Sequence, residues 1–224
     1  MKVVITGTSH GIGRAIAEVF TMLGHEVHGI DKDPAPFKNA NYTHHVYEFT
    51  GSEYRIESYL MPDIQDVEIL VNNAGVQGTN RDIQVNLISL INCTKKYALQ
   101  PAIKSVVNIS SASAHHGAEF GEYTASKGGV LAYTRWTAKQ LYQYGATCNS
   151  LSPGGVLTDL NACVIDNEDA WNEIMDLTPL KKWATSEEIA EWVYFLAVTN
   201  KSMTGQDILI DNGEFLSHKF VWVE

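Results

Sequence analysis
Basic residues are scarce in this 224-residue chain: 16 Lys and Arg stand against 26 Asp and Glu, a formal net charge of −10. A generic nucleic-acid surface needs a basic face, so that class of partner is excluded. An anionic ligand held locally by backbone amides is not. Cysteine is scarcer still. Cys93, Cys148 and Cys163 are odd in number and far apart, which makes neither a disulfide framework nor a metal cluster, and the reading is a reduced, cytoplasmic protein. The eight histidines form no HExxH or comparable grouping, so no metal site and no metal hydrolase is expected. No apolar run approaches the roughly 18 residues of a membrane span. The opening "MKVVITG" enters a strand pattern without a signal-peptide core. Linkers, repeats and low-complexity tracts are also absent, which points to a single domain over residues 1–224.

Short apolar runs alternate instead with helical patterns. Strands are expected at 2–6, 27–30, 45–49, in "VEILVNNAG" ending near Asn72, in "SVVNIS", in "ATCNSLSPGG" and in "QDILIDNG". Helices are expected at 12–23, 53–60, 83–99, 123–144 and 186–197, the last capped by Ser186 with Glu187 and Glu188 in its first turn. Strands separated by helices describe an α/β protein: a Rossmann-like, doubly wound parallel sheet with helices on both faces.

"VVITGTSHGIGRAIAEVF" places Gly7, Gly11 and Gly13 between the first strand and the first helix. Glycine suits a tight turn and close backbone approach to a pyrophosphate, whose charge the helix N-terminus stabilises. The spacing G-x-x-x-G-x-G is one residue wider at its start than the G-x-G-x-x-G fingerprint. Asp31 ends the next strand, where a carboxylate accepts hydrogen bonds from an adenosine ribose diol and repels the additional phosphate of NADP. NAD is therefore the expected cofactor, with His10 and Lys32 near enough in sequence to soften the preference.

With these motifs in order, the chain resembles the classical branch of the short-chain dehydrogenase/reductase family. "TGTSHGIG" resembles its cofactor turn, including Ile12 between the last two glycines, and "NNAG" resembles the motif beside the adenosine. Asn86 in "QVNLISL", the serines of "VNISS" and "YTASK" complete the family's catalytic pattern, and "SPGGVLTD" resembles the segment that passes the nicotinamide. The resemblance runs from the first residues to about Gly213. It implies an oxidoreductase in which Tyr123 is the acid/base, Lys127 lowers the phenol pKa and clamps the nicotinamide ribose, and Asn86 supports a proton relay. It implies further that Asn72, Ala74 and Gly75 flank the adenosine ribose, and that Pro153, Val156 and Thr158 hold the nicotinamide end. Tyr123 and Lys127, four apart, share a helix face, and a nearby ammonium favours phenolate.

The catalytic serine divides two rules. Family members place it thirteen residues before the tyrosine, which selects Ser110, but as the second serine of "ISS", which selects Ser111. A loop absorbs a deletion more easily than a strand end changes register, which favours Ser111. Two further departures are visible. Only ten residues separate Gly75 from Asn86, and Glu48 stands where the family has an aspartate touching the adenine. His115, His116, Phe120, Trp171 and Trp183 are candidates to contact substrate.

The resemblance thus implies an NAD(H)-dependent enzyme interconverting a secondary alcohol and a carbonyl by direct hydride transfer, as a homodimer or homotetramer. The competing readings are a nicotinamide-dependent epimerase or a non-catalytic NAD-binding regulator. The former is usually longer, and the latter would be favoured by loss of the serine, tyrosine or lysine, all of which are present.

Overall fold
The computed structural model describes residues 1–117 and 120–216. The first strand, β1 (Lys2–Thr6), shows why the sheet forms where it does. Successive side chains of a strand point to opposite faces: Val3 and Ile5 enter one core, Val4 enters the other, and all three are fully buried. Strands buried on both sides read as continuous apolar runs, the mark of a parallel sheet. Six more strands complete it: β2 (Glu26–Asp31), β3 (Tyr42–Val46), β4 (Ile69–Asn72), β5 (Ser105–Ile109), β6 (Thr147–Pro153) and β7 (Asp207–Ile210). All neighbours pair in parallel in the order β3-β2-β1-β4-β5-β6-β7.

One face is covered by α1 (Gly11–Met22) and α8 (Ser186–Tyr194), whose Ile16, Phe20, Ile189 and Val193 are completely buried. On the other face, α3 (Leu90–Tyr97) and α5 (Gly121–Leu141) bring Cys93, Tyr97 and Leu141 into the second core, beside Met61 from the end of α2 (Tyr54–Leu60). Strand order reverses between β1 and β4. A crevice opens at such a switch point beyond the carboxyl ends of the strands, and every motif singled out above lies there.

Several elements differ from the sequence expectation. The third strand lies at 42–46 rather than 45–49, with Val27 opposite Tyr42 and Asp31 opposite Val46. Polar contacts hold it: His28 and His45 stack with their ring nitrogens 3.0 Å apart, and Tyr42 Oη lies 2.9 Å from Thr8 Oγ1. Residues 47–49 are thereby freed to line the crevice. The helix expected over 83–99 starts as a π-helical turn, Gln84–Ser89, before α3. Between β6 and α8, where no regular element was expected, lie α6 (Ala162–Ile165) and α7 (Glu168–Leu177). Asn167 caps α7, accepting from the Ala170 amide at 3.1 Å. The cap of α8 is Thr185 rather than Ser186, in a reciprocal capping box with Glu188. Most of the C-terminal tail "EFLSHKFVWVE", whose aromatic and branched residues suit cover for a core or a neighbouring subunit, lies outside the described residues, which end at 216. No helix among the described residues is long and apolar enough to cross a membrane, and no group of three or more potential metal ligands occurs among them.

Candidate active site
A cavity of about 1080 Å³ crosses the carboxyl ends of the strands. Its lining brings together Asp31, Lys32, Glu48 and Arg81, the glycine turn, Ser111, Tyr123 and Lys127, and Phe120, Leu160, Trp183 and Glu214.

The glycine turn is compressed to a degree only glycine permits. Gly7 has φ +74°, and a Cβ added to Gly13 would overlap the Gly7 carbonyl oxygen. The turn is tied down by Asn73, whose Nδ2 donates to the Thr6 and Gly7 carbonyls at 3.1 and 3.0 Å. The first turn of α1 carries neither a side-chain cap nor an acidic residue. Its amides therefore remain available to an anion, with the positive end of the helix dipole behind them. Asp31 braces the same turn from below: Oδ2 accepts from the Ser9 amide at 2.9 Å and Oδ1 from the Asp33 amide at 3.0 Å. Each oxygen keeps acceptor capacity for a diol. A glycine cradle that a Cβ would fill, an uncapped helix start and a braced carboxylate together fit a dinucleotide.

Ala74 and Gly75 continue the wall, but Asn72 does not. Its Nδ2 donates to Thr94 Oγ1 at 3.1 Å and Asn108 Oδ1 at 2.9 Å inside the protein, and it is absent from the cavity lining. Asn73, one residue past the strand end, faces the cavity instead. β4 is buried at every position through Asn72, so only the residue after the strand end is free to turn to the cavity.

On the opposite wall, α5 presents Tyr123 and Lys127 together, with Lys127 Nζ 5.6 Å from the Tyr123 ring centroid. The ammonium is 5% exposed and donates to the Ile109 carbonyl at 3.0 Å. Burial lowers its pKa to about 8, against the opposing pull of Asp82. Asn86 lies beneath, held by the π-helical turn. Its Oδ1 accepts from the Val76 amide at 2.8 Å, and its Nδ2 donates to the Val76 carbonyl at 2.9 Å and to Ser126 Oγ at 3.0 Å. Asn86 does not line the cavity, and its side chain is engaged in joining the segment after Gly75 to α5. Still, Asn86 Oδ1 and Lys127 Nζ converge above Gly75, 3.1 and 3.5 Å from where a Cβ there would stand.

Ser110 and Ser111 both line the cavity. Ser110 Oγ donates to the Lys127 carbonyl at 2.9 Å, whereas Ser111 Oγ accepts from the Ser113 amide at 3.2 Å and keeps its own hydrogen. Pro153, Val156 and Thr158 complete this side, Thr158 Cγ2 lying 3.2 Å from where a Cβ on Gly11 would project. Of the five substrate-contact candidates, His116, Phe120 and Trp183 line the cavity. His115 pairs with Asp207 at 2.8 Å, at the end of the short helix α4 (Ser113–His116), and Trp171 packs edge-on against Trp183 at 5.2 Å. Trp183 covers Gly155 so closely that a Cβ there would overlap the indole. Arg81, Phe49 and Val85 were not anticipated as lining residues. Phe49 and Val85 fall within the strand and the helix expected at 45–49 and 83–99, whose patterns do not say which residue faces the crevice, and Arg81 falls between expected elements.

A family model described as enoyl-(acyl carrier protein) reductase matches residues 58–214. The D-beta-hydroxybutyrate dehydrogenase of Rhizobium meliloti is 30% identical over 250 residues, spanning 94% of this chain and 96% of that protein. A 3-oxoacyl-[acyl-carrier-protein] reductase of Staphylococcus epidermidis is 28% identical over 242 residues, spanning 95% and 98%. The solved aldohexose dehydrogenase of Thermoplasma acidophilum is similar with a TM-score of 0.83 at 26% identity, covering 100% of this chain and 97% of that one.

Proposed function
This chain belongs to the short-chain dehydrogenase/reductase family, and from that premise we propose that it is an NAD(H)-dependent oxidoreductase interconverting a secondary alcohol and a carbonyl. The observation that carries the reading is one cavity lined at once by the glycine turn, Asp31, Ser111, Tyr123 and Lys127. The names of the three relatives, a reductase and two dehydrogenases, support it.

Gly7, Gly11, Ile12 and Gly13 would hold the pyrophosphate, Asp31 the adenosine ribose, Ala74 and Gly75 the adenosine side, and Pro153, Val156 and Thr158 the nicotinamide end. Asn72 serves there only through the packing beneath Asn73. When bound, the nicotinamide supplies the hydride. Ser111 donates its hydrogen to the substrate oxygen, and Tyr123 gives or takes the proton at that oxygen. Lys127, charged below a pKa of about 8, lowers the cost of phenolate beside it. Asn86 fixes the height of α5 against the glycine wall. The proposal includes a cytoplasmic dimer or tetramer; partly exposed Trp136, Trp192 and Phe195 are suited to a subunit contact.

Tyr123→Phe keeps the ring and deletes the hydroxyl. It should bind NADH normally yet lose roughly 10²- to 10⁴-fold in single-turnover carbonyl reduction, the usual contribution of a positioned acid–base group. Fluorescence titration and a panel of ketones read at the nicotinamide absorbance would measure this. The same titration should give tighter NADH than NADPH binding, and Asp31→Ala should narrow the gap. Near-normal reduction by Tyr123→Phe, or tighter NADPH, overturns the corresponding part.

A further inference from the structure
Arg81 stands four residues before Val85, and the Val85 amide donates to the Arg81 carbonyl at 2.9 Å, so the two occupy one helical face. Both line the cavity. The turn that carries Arg81 is held rigidly: Asp82, 1% exposed, accepts from the Thr79 amide and hydroxyl at 3.2 and 3.0 Å. Across the cavity mouth lies the chain from Tyr47 to Gly51. It is held too, because Glu57, fully buried, accepts from the Thr50 and Gly51 amides, each at 3.0 Å, and from Ser89 Oγ at 3.2 Å.

The guanidinium spans the gap between these fixed walls. Arg81 Nη1 donates to Glu48 Oε1 at 2.9 Å, and Nη2 donates to the Phe49 carbonyl at 3.1 Å. Lysine could not supply both donors in a planar fork. Arg81, with Lys32 close enough to help, holds the Glu48 carboxyl below the usual range, so the bridge stands on the Asp31 and Lys32 side of the cavity. A dinucleotide with its nicotinamide near Tyr123 must lay its adenosine half here.

We infer that Arg81 is a positioning residue for cofactor retention, strapping residues 47–49 across the adenosine half of the bound dinucleotide. The inference rests on the NAD(H) reading above. An exposed ion pair alone contributes little. Here the second hydrogen bond goes to a backbone carbonyl, and a bound nucleotide would shield both from water, strengthening them. Arg81 touches no reacting atom, so it acts on release of the cofactor and not on hydride transfer.

The test uses three probes: NADH, ADP-ribose for the adenosine half and reduced nicotinamide mononucleotide for the other. Arg81→Ala should raise the NADH dissociation rate about tenfold, the scale of one charge-assisted hydrogen bond. It should weaken ADP-ribose equally and leave the mononucleotide unchanged. The KM for NADH should rise with kcat held within about twofold. Arg81→Lys should recover part of the loss, and Glu48→Gln, which keeps the Phe49 bond, should cost less than Arg81→Ala. An NADH dissociation rate within about twofold of wild type in Arg81→Ala refutes the inference. So does equal weakening of ADP-ribose and the mononucleotide, which would signal general loosening. Wild-type protein that binds neither NADH nor ADP-ribose would overturn the NAD(H) reading itself, a result distinct from either.

Discussion

At the scale of single residues, hydrogen-bond direction separates groups that the sequence leaves equivalent. Ser110 and Ser111 satisfy rival spacing rules, but Ser110 spends its hydrogen on the Lys127 carbonyl while Ser111 does not. Ser111→Ala should therefore lower turnover by about 10²-fold or more, as loss of a donor to a developing oxyanion does, with NADH affinity unchanged. Ser110→Ala should leave turnover within severalfold and instead reduce stability by about 0.5–1.5 kcal/mol, the net worth of one hydrogen bond, because the Lys127 carbonyl keeps its bond inside α5. Steady-state kinetics and urea unfolding on both variants check the pair; a damaging Ser110 variant with a normal Ser111 variant reverses the assignment. Asn72 and Asn73 make the same point. Reading "NNAG" as a motif selected Asn72, whereas the end of β4 buries that residue and turns Asn73 to the glycine turn.

At the scale of elements, legibility followed the source of stabilisation. The strands β1, β4 and β5 are held by apolar burial on both faces, so their positions could be read directly. The edge strand β3 is held by stacked histidines and a tyrosine hydroxyl, which carry no apolar alternation, and it was displaced by three residues. The π-helical turn at Asn86 was illegible for another reason. It depends on long-range contacts such as Ser89 with Glu57, which no local pattern encodes. The cap of α8 was misplaced by one residue although "TSEE" holds the correct box, Thr185 with Glu188. This cap stabilises the helix whose approach fixes the cavity wall: the Leu157 amide donates to the Ala184 carbonyl at 2.9 Å. Thr185→Ala should cost about 1 kcal/mol of stability, while Thr185→Ser retains it. Thermal unfolding of the two variants decides; an unchanged alanine variant would show that burial against α1, and not the cap, fixes the helix start.

At the scale of the whole molecule, the site concentrates an unfavourable charge that the fold must carry. The glycine turn, Tyr123 and Lys127 were legible in sequence because cofactor and proton chemistry restrict residue type. What the sequence did not reveal was that Lys127 would be buried deeply enough for its pKa to fall from 10.5 to about 8. Between those values the unfolded chain binds a proton that the folded chain has released, so this group makes stability rise with pH. Below about pH 8 the cost of burying the ammonium is present in full; it fades as pH climbs toward 10.5. At about 1.4 kcal/mol per unit, the range spans roughly 3 kcal/mol. Lys127→Met keeps an unbranched chain and removes the charge, though it also leaves the Ile109 carbonyl without its donor, a loss that does not titrate. Urea unfolding of wild type and variant, free of cofactor, at pH 7 and pH 10 should show wild type gaining on the variant by roughly 2–3 kcal/mol. Tyrosine ionisation elsewhere affects both proteins and drops out of the difference. Parallel pH profiles would mean that Lys127 is solvated in the folded state, and its leverage on the Tyr123 phenol would then need another source.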